Sequence, residues 1–243
     1  MSIPKIIHYC WFGKEIPNKF KDYINGWERT CPDYEIMLWN ETNYDINSNE
    51  FLKKAVQSNK WAFVADYVRL DVLYKYGGIY LDTDVELLKN FDVFLNKKLV
   101  FGFETSKEVN AAVVLAEKNH VFLKEMLDIY NTGLFEGRLI VDNLIPIPYT
   151  LTQTLIKKGL VPNGTCQLLG EGIHILTRDF FYPLSYEAEG KLFTNNTVCI
   201  HHYAGTWSNG ITKVDVFFKK HFSFSIRPLI LFLSKIKRKF RGK

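Results

Sequence analysis

Residues 3–12 form a nearly unbroken apolar and aromatic run behind Pro4, as expected of a buried first strand. Phe20, Tyr23, Ile24 and Trp27 recur at i, i+3, i+4 and i+7, one face of a helix bounded by Pro17-Asn18 and Cys31-Pro32. Residues 34–39 alternate as a second strand, and Phe51, Leu52, Ala55 and Val56 mark a short helix. A longer, mostly apolar helix is predicted over 61–76. Gly77-Gly78 closes it, because glycine takes a left-handed cap without steric cost. Residues 79–81 then make a short strand that runs straight into Asp82. Further on, 99–103 and 111–115 read as strands, 121–130 and 149–157 as helices, and 197–203 as a late strand. Strands and helices that alternate early and grow irregular later predict an α/β fold with a mixed central sheet.

Composition narrows the class. Of 243 residues, 47% are apolar, 15% aromatic and 23% charged, enough to bury a sizeable core and too apolar for a disordered chain. No apolar run approaches the roughly 20 residues that span a bilayer. The first thirteen residues lack the order of a secretion signal, so a soluble intracellular location is expected. Cys10, Cys31, Cys166 and Cys199 stand far apart without zinc-ligand spacing, which predicts free buried thiols.

The net charge of +5 conceals an asymmetry. Nine of the 31 Lys+Arg follow Asp215, with no acidic residue among them, so residues 1–215 hold 22 basic against 26 acidic side chains, or −4. A uniformly basic nucleic-acid-binding surface is therefore excluded. One domain over 1–215 and a basic amphipathic helical tail over 216–243 are expected. Such a tail suits the cytoplasmic face of a membrane, or a helix packed on the body.

The chemistry concentrates in GGIYLDTDVELL, residues 77–88. Ligands of open α/β sheets bind beyond the carboxyl ends of the strands, where Asp82 and Asp84 fall. Bare DxD tripeptides mostly lie in solvated turns. Two carboxylates held close in a cleft, however, call for a cation, and oxygen donors favour Mg2+ or Mn2+. In the preceding helix, Asp66 and Arg69 stand at i, i+3, either as a helical ion pair or as a charged pair lining a pocket beside Asp82. His201 and His202 end the late strand, and alternation allows at most one of them to face the aspartates. Trp11, after the first strand, is either a core residue or a platform for a nucleobase.

Taken together, IPKIIHYCWFG (3–13), the A-x-x-A-D-Y-x-R-L-D segment through GGIYLDTDVELL (62–88) and HHYAGTW (201–207) resemble the DXD-containing glycosyltransferases of family 32. More distantly they are similar to family 8 galactosyltransferases and the glucosylating clostridial toxins. The resemblance implies a GT-A type, Rossmann-like nucleotide-sugar-binding domain and metal-dependent transfer with retention of configuration. The donor would be a nucleotide-sugar, UDP-linked by preference, and the acceptor a glycan or lipid-linked sugar, as in capsule or lipopolysaccharide synthesis.

By the same resemblance, Asp82, Asp84 and His202 bind the metal, and Asp82, Asp84 and Arg69 carry catalysis. His8, Trp11, Asp66, Arg69, Gly78, Tyr80, Asp82 and Trp207 contact the nucleotide-sugar. Two other readings use the same residues: a phosphotransferase of the haloacid dehalogenase type built on the DxD, and a protein that binds a nucleotide-sugar without transferring it.

Overall fold

The computed structural model describes residues 2–184 and 190–205. Trp207 and the tail over 216–243 lie outside the described residues. In chain order the elements are β1 (Ile6–Cys10), α1 (Asn18–Thr30), β2 (Glu35–Trp39), α2 (Glu50–Gln57), α3 (Trp61–Tyr76), β3 (Gly78–Leu81) and β4 (Val85–Leu87). There follow β5 (Leu99–Phe103), β6 (Val109–Ala116), α4 (Val121–Thr132), the hairpin β7 (Leu134–Phe135) and β8 (Arg138–Leu139), and α5 (Ile140–Asn143). The last are α6 (Ile147–Lys157), β9 (Gln167–Leu169), β10 (Ile173–Leu176) and β11 (Cys199–His201).

Seven strands form one sheet in the order β2-β1-β3-β6-β5-β10-β9. β2, β1, β3, β5 and β10 run one way while β6 and β9 run against them, so the sheet is mixed. One face packs against α2, α3, α4 and α6 through Phe63, Val68, Phe101, Phe122 and Leu151. The other face packs against α1 and the segments around Phe91 and Phe181 through Ile7, Trp27, Ile79 and Val113. The α3 segment between Phe63 and Leu73 is buried all round, which explains why its sequence lacks the polar stripe of a surface helix.

Most elements fall where the sequence places them. The exceptions have physical reasons. β4 and β11 form a separate two-stranded ribbon, and β4 is only three residues long, too short to show alternation. β10, which pairs with β5, follows a Gly-Glu-Gly turn, and no strand is predicted over it. Of the four free thiols, Cys10, Cys31 and Cys199 are buried as expected, but Cys166 is exposed.

Candidate functional site

The ends of the sheet strands set the site. Asp82 follows β3, Glu104 follows β5, and Asn110 lies at the start of the oppositely directed β6, so all three emerge at one edge. Beyond Asp82 the chain turns into β4, which pairs antiparallel with β11 in the register Val85↔His201. This pairing carries a residue from late in the chain to the DxD. The His202 N–H donates to the Asp84 carbonyl at 3.0 Å and the Ala204 N–H donates to Asp84 Oδ2 at 2.7 Å. From the other side, the buried Trp27 indole of α1 donates to the Val85 carbonyl at 2.8 Å, which fixes the ribbon against the body.

Ligand atoms of Asp82, Asp84 and His201 all lie within 4.8 Å of one another. His201 Nε2 stands 3.2 Å from Asp84 Oδ1, and its Nδ1 is buried with no hydrogen-bond partner among the described residues. His202, expected as the third ligand, points the other way. Its Nε2 meets Glu86 Oε2 at 2.8 Å and its ring stacks on Tyr23, with centroids 4.9 Å apart. Alternation along β11 permits one histidine to face the aspartates, and register with β4 selects His201.

Arg69 ties this cluster to α3. Its guanidinium donates to Asp66 Oδ1 at 2.9 Å and to the Ala111 carbonyl at 2.7 Å, and it lies 3.3 Å from Asp82 Oδ1. The Tyr80 ring covers it at 4.6 Å. Asp66 and Arg69 form the helical i,i+3 ion pair and stand beside Asp82, but the guanidinium fork is already engaged and only 5% exposed. Arg69 therefore fixes Asp82 and Asp66 rather than presenting an open fork.

Three carboxylates face one guanidinium and one imidazole, leaving the cluster short of positive charge. Burial pushes the Asp66 carboxyl up to about 7, opposed by Arg69, and burial likewise raises Asp82. Burial acts the same way on Asp84, but the His201 charge and hydrogen bond together with the Ala204 N–H outweigh it and bring Asp84 down to about 2. In turn, Asp84 raises His201 against its own burial. Two carboxylates and an imidazole with excess negative charge suit a hard divalent cation.

Several expected nucleotide contacts are placed differently. His8 is fully buried; its Nε2 donates to the Gly77 carbonyl at 2.9 Å while its Nδ1 accepts from the Trp39 indole at 3.1 Å, so it braces the core and offers nothing to a ligand. Gly78 is packed against β1, where a Cβ would stand 2.6 Å from the Ile6 carbonyl oxygen. Tyr80, 1% exposed, meets Arg69 and not solvent. Trp11 reaches the correct edge, yet it is 3% exposed, donates to the Lys14 carbonyl and packs on Phe20 5.6 Å away, so it presents no open platform. The sequence reading missed Glu104 and Asn110, which are hydrogen-bonded to each other; Glu104 is buried within electrostatic reach of His201. A polar residue directly after a buried strand, the signal that singled out Asp82, was available for Glu104 too.

Residues 17–101 match the family model described as a glycosyltransferase sugar-binding region containing a DXD motif. Inositol phosphoceramide mannosyltransferase 3 of Schizosaccharomyces pombe is 33% identical over 134 residues, 52% of this chain and 36% of that protein. Mannosyl phosphorylinositol ceramide synthase SUR1 of Saccharomyces cerevisiae is 28% identical over 197 residues, 75% of this chain and 50% of that protein. Human lactosylceramide 4-alpha-galactosyltransferase is 28% identical over 138 residues, 54% of this chain and 35% of that protein. The matches thus span between about a third and a half of the length of these curated relatives. Among solved structures, the PaToxG glycosyltransferase superposes with a TM-score of 0.52 at 21% identity, covering 64% of this chain and 70% of that one, a likeness of fold. Residues 17–101 are thus similar to the DXD-containing sugar-binding region of glycosyltransferases, and the α/β fold around them is similar to that of GT-A glycosyltransferases.

Proposed function

We propose that the chain is a metal-dependent glycosyltransferase that moves a hexosyl group from a nucleotide-sugar, UDP-linked by preference, to a glycan or lipid-linked acceptor. The observation that carries this reading is the convergence of Asp82, Asp84 and His201 ligand atoms within 4.8 Å beside the enclosed Arg69. These three residues would hold Mn2+ or Mg2+, which when bound supplies Lewis-acid neutralisation of charge on a departing diphosphate. The remaining work belongs to the chain. Ala204 N–H and His201 fix the Asp84 carboxylate, while Arg69 fixes Asp82 and Asp66. Asp66, Asp82 and Asp84 are each tied to Arg69 or His201. Transfer with retention by a front-face path, in which the departing phosphate takes the acceptor proton, is the course we assign from the resemblance to retaining DXD glycosyltransferases.

The names of the curated relatives, mannosyl- and galactosyltransferases of ceramide lipids, support a lipid-linked acceptor. Assembly of a surface polysaccharide such as capsule or lipopolysaccharide is the setting we assign, at the inner face of the membrane. Among the described residues no helix is long and apolar enough to cross a membrane. Peripheral attachment would fall to residues 216–243, whose removal should abolish flotation with anionic liposomes.

Incubation with a panel of UDP-sugars, with and without acceptor, tests the reading. Nucleoside diphosphate release should require Mn2+ or Mg2+, stop with chelator and collapse in Asp84→Asn. Near-normal transfer by that variant at saturating Mn2+ would refute it. Release of inorganic phosphate would favour the phosphotransferase, and binding of the UDP-sugar with no turnover the non-catalytic protein.

A further inference from the structure

A cleft of about 400 Å³ lies at the β2 edge of the sheet between α3, α4 and the loop after β2. Its position on α3 separates it from the metal cluster. Asp71, which lines it, follows Arg69 by two residues, and at about 100° per residue that places Asp71 about 200° round the helix. The two sites therefore occupy opposite flanks of one helix.

The lining combines two kinds of surface. Trp39 and Tyr76 stack with centroids 5.5 Å apart, and Tyr44 stands edge-on to Trp39 at 6.2 Å. Tyr76 is 44% exposed and lines the cleft, so its aromatic side chain is within reach of a ligand there. At the base sits the Asp71 carboxylate, 7% exposed, which accepts from the Tyr44 hydroxyl at 2.5 Å and from Lys75 at 2.7 Å. Both bonds go to Oδ2, and among the described residues Oδ1 accepts none. Asn131 adds an amide, its Oδ1 already taken by the Tyr67 hydroxyl.

From this lining we infer that the cleft is a binding site for a pyranoside, separate from the site of transfer. A pyranose ring presents one face of C–H groups, which an exposed tyrosine ring covers, and a rim of hydroxyls that each both donate and accept. Asp71 Oδ1, Lys75 and the Asn131 amide supply the complementary mixture. Asp71 and Lys75 neutralise one another, and Asp45 at the rim leaves the cleft slightly negative, which disfavours phosphates and nucleotides. The volume accommodates one or two sugar rings. Sugar held here would tether a glycan away from its reacting end. The site does not depend on transfer at Asp82, since binding alone defines it.

The test uses the full chain in chelator and without nucleotide. Methyl α-D-mannopyranoside, methyl α-D-galactopyranoside and N-acetylglucosamine serve as probes, with UDP and inorganic phosphate alongside. Saturation-transfer NMR and tryptophan fluorescence report binding. At least one sugar should bind saturably, about tenfold or more weaker in Tyr76→Ala and in Asp71→Asn, and unchanged in Asp84→Asn. Melting curves show that each variant is folded; Tyr76, being half exposed, is the safer of the two. Absence of saturable binding by any of the three sugars overturns the inference. So does binding that persists in folded Tyr76→Ala, or binding lost in Asp84→Asn, or UDP occupying the cleft in place of sugar.

Discussion

His8 provides a quantitative check on how this core is built. In its neutral form Nε2–H donates to the Gly77 carbonyl and Nδ1 accepts from the Trp39 indole. A second proton would set an N–H on Nδ1 against the indole N–H. Burial is the larger cause of its shift, and with it the imidazole is brought from 6.5 down to about 4, against the opposing pull of the Gly77 carbonyl. Because the folded value lies below the unfolded one, the unfolded chain binds the proton first as pH falls. Stability is thus fully present above about pH 6.5 and is lost progressively toward pH 4. Between pH 7.5 and 4.5 this linkage removes about 2.5 kcal/mol.

His8→Gln keeps a donor for Gly77 but cannot titrate. The variant should be less stable than the parent at pH 7.5, by about 1–3 kcal/mol for the imperfect replacement of two buried bonds. Its deficit should shrink by about 2.5 kcal/mol by pH 4.5, since all other titrating groups are common to both proteins. Urea unfolding at several pH values in that window gives both curves. Parallel curves would refute the reasoning, and a nucleotide-contacting role for His8 would instead change donor affinity without changing the slope.

Three further outcomes follow from the site. His201→Gln should raise the Mn2+ concentration needed for half-maximal transfer about tenfold or more, while His202→Gln should leave the metal requirement as it was; titration of activity with Mn2+ separates them. Gly78→Ala combines a φ of +103° with a Cβ 2.6 Å from the Ile6 carbonyl oxygen, so a loss above about 2 kcal/mol in urea unfolding, or failure to fold, is expected. Trp27→Phe leaves the Val85 carbonyl without its indole donor. Stability should drop by about 1–3 kcal/mol, with weaker Mn2+ binding because Val85 adjoins Asp84 in the ribbon.

Local order was plain from the chain itself. The spacing of Phe20, Ile24 and Trp27 and the short strand running into Asp82 each depend on neighbours a few residues away, and each element forms as read; Gly77 ends α3 as expected, but with φ +70° and ψ −167° rather than a left-handed helical cap, and Gly78 already opens β3. The DxD at a strand terminus was legible for the same reason, whereas the chain alone left Asp66 and Arg69 open between a helical ion pair and a pair beside Asp82, a contact that packing of α3 on β3 supplies. Other features hang on contacts between distant segments. Which of His201 and His202 turns toward the aspartates follows from the register of β11 on β4, more than a hundred residues earlier, and a shift of one position would exchange them. Glu104 and Asn110 join the site because β6 runs against β5, a pairing direction that apolar runs do not encode. Burial of His8, Trp11 and Tyr80 was likewise decided by packing, since an aromatic or imidazole beside a ligand edge and one sealed beneath it have the same sequence.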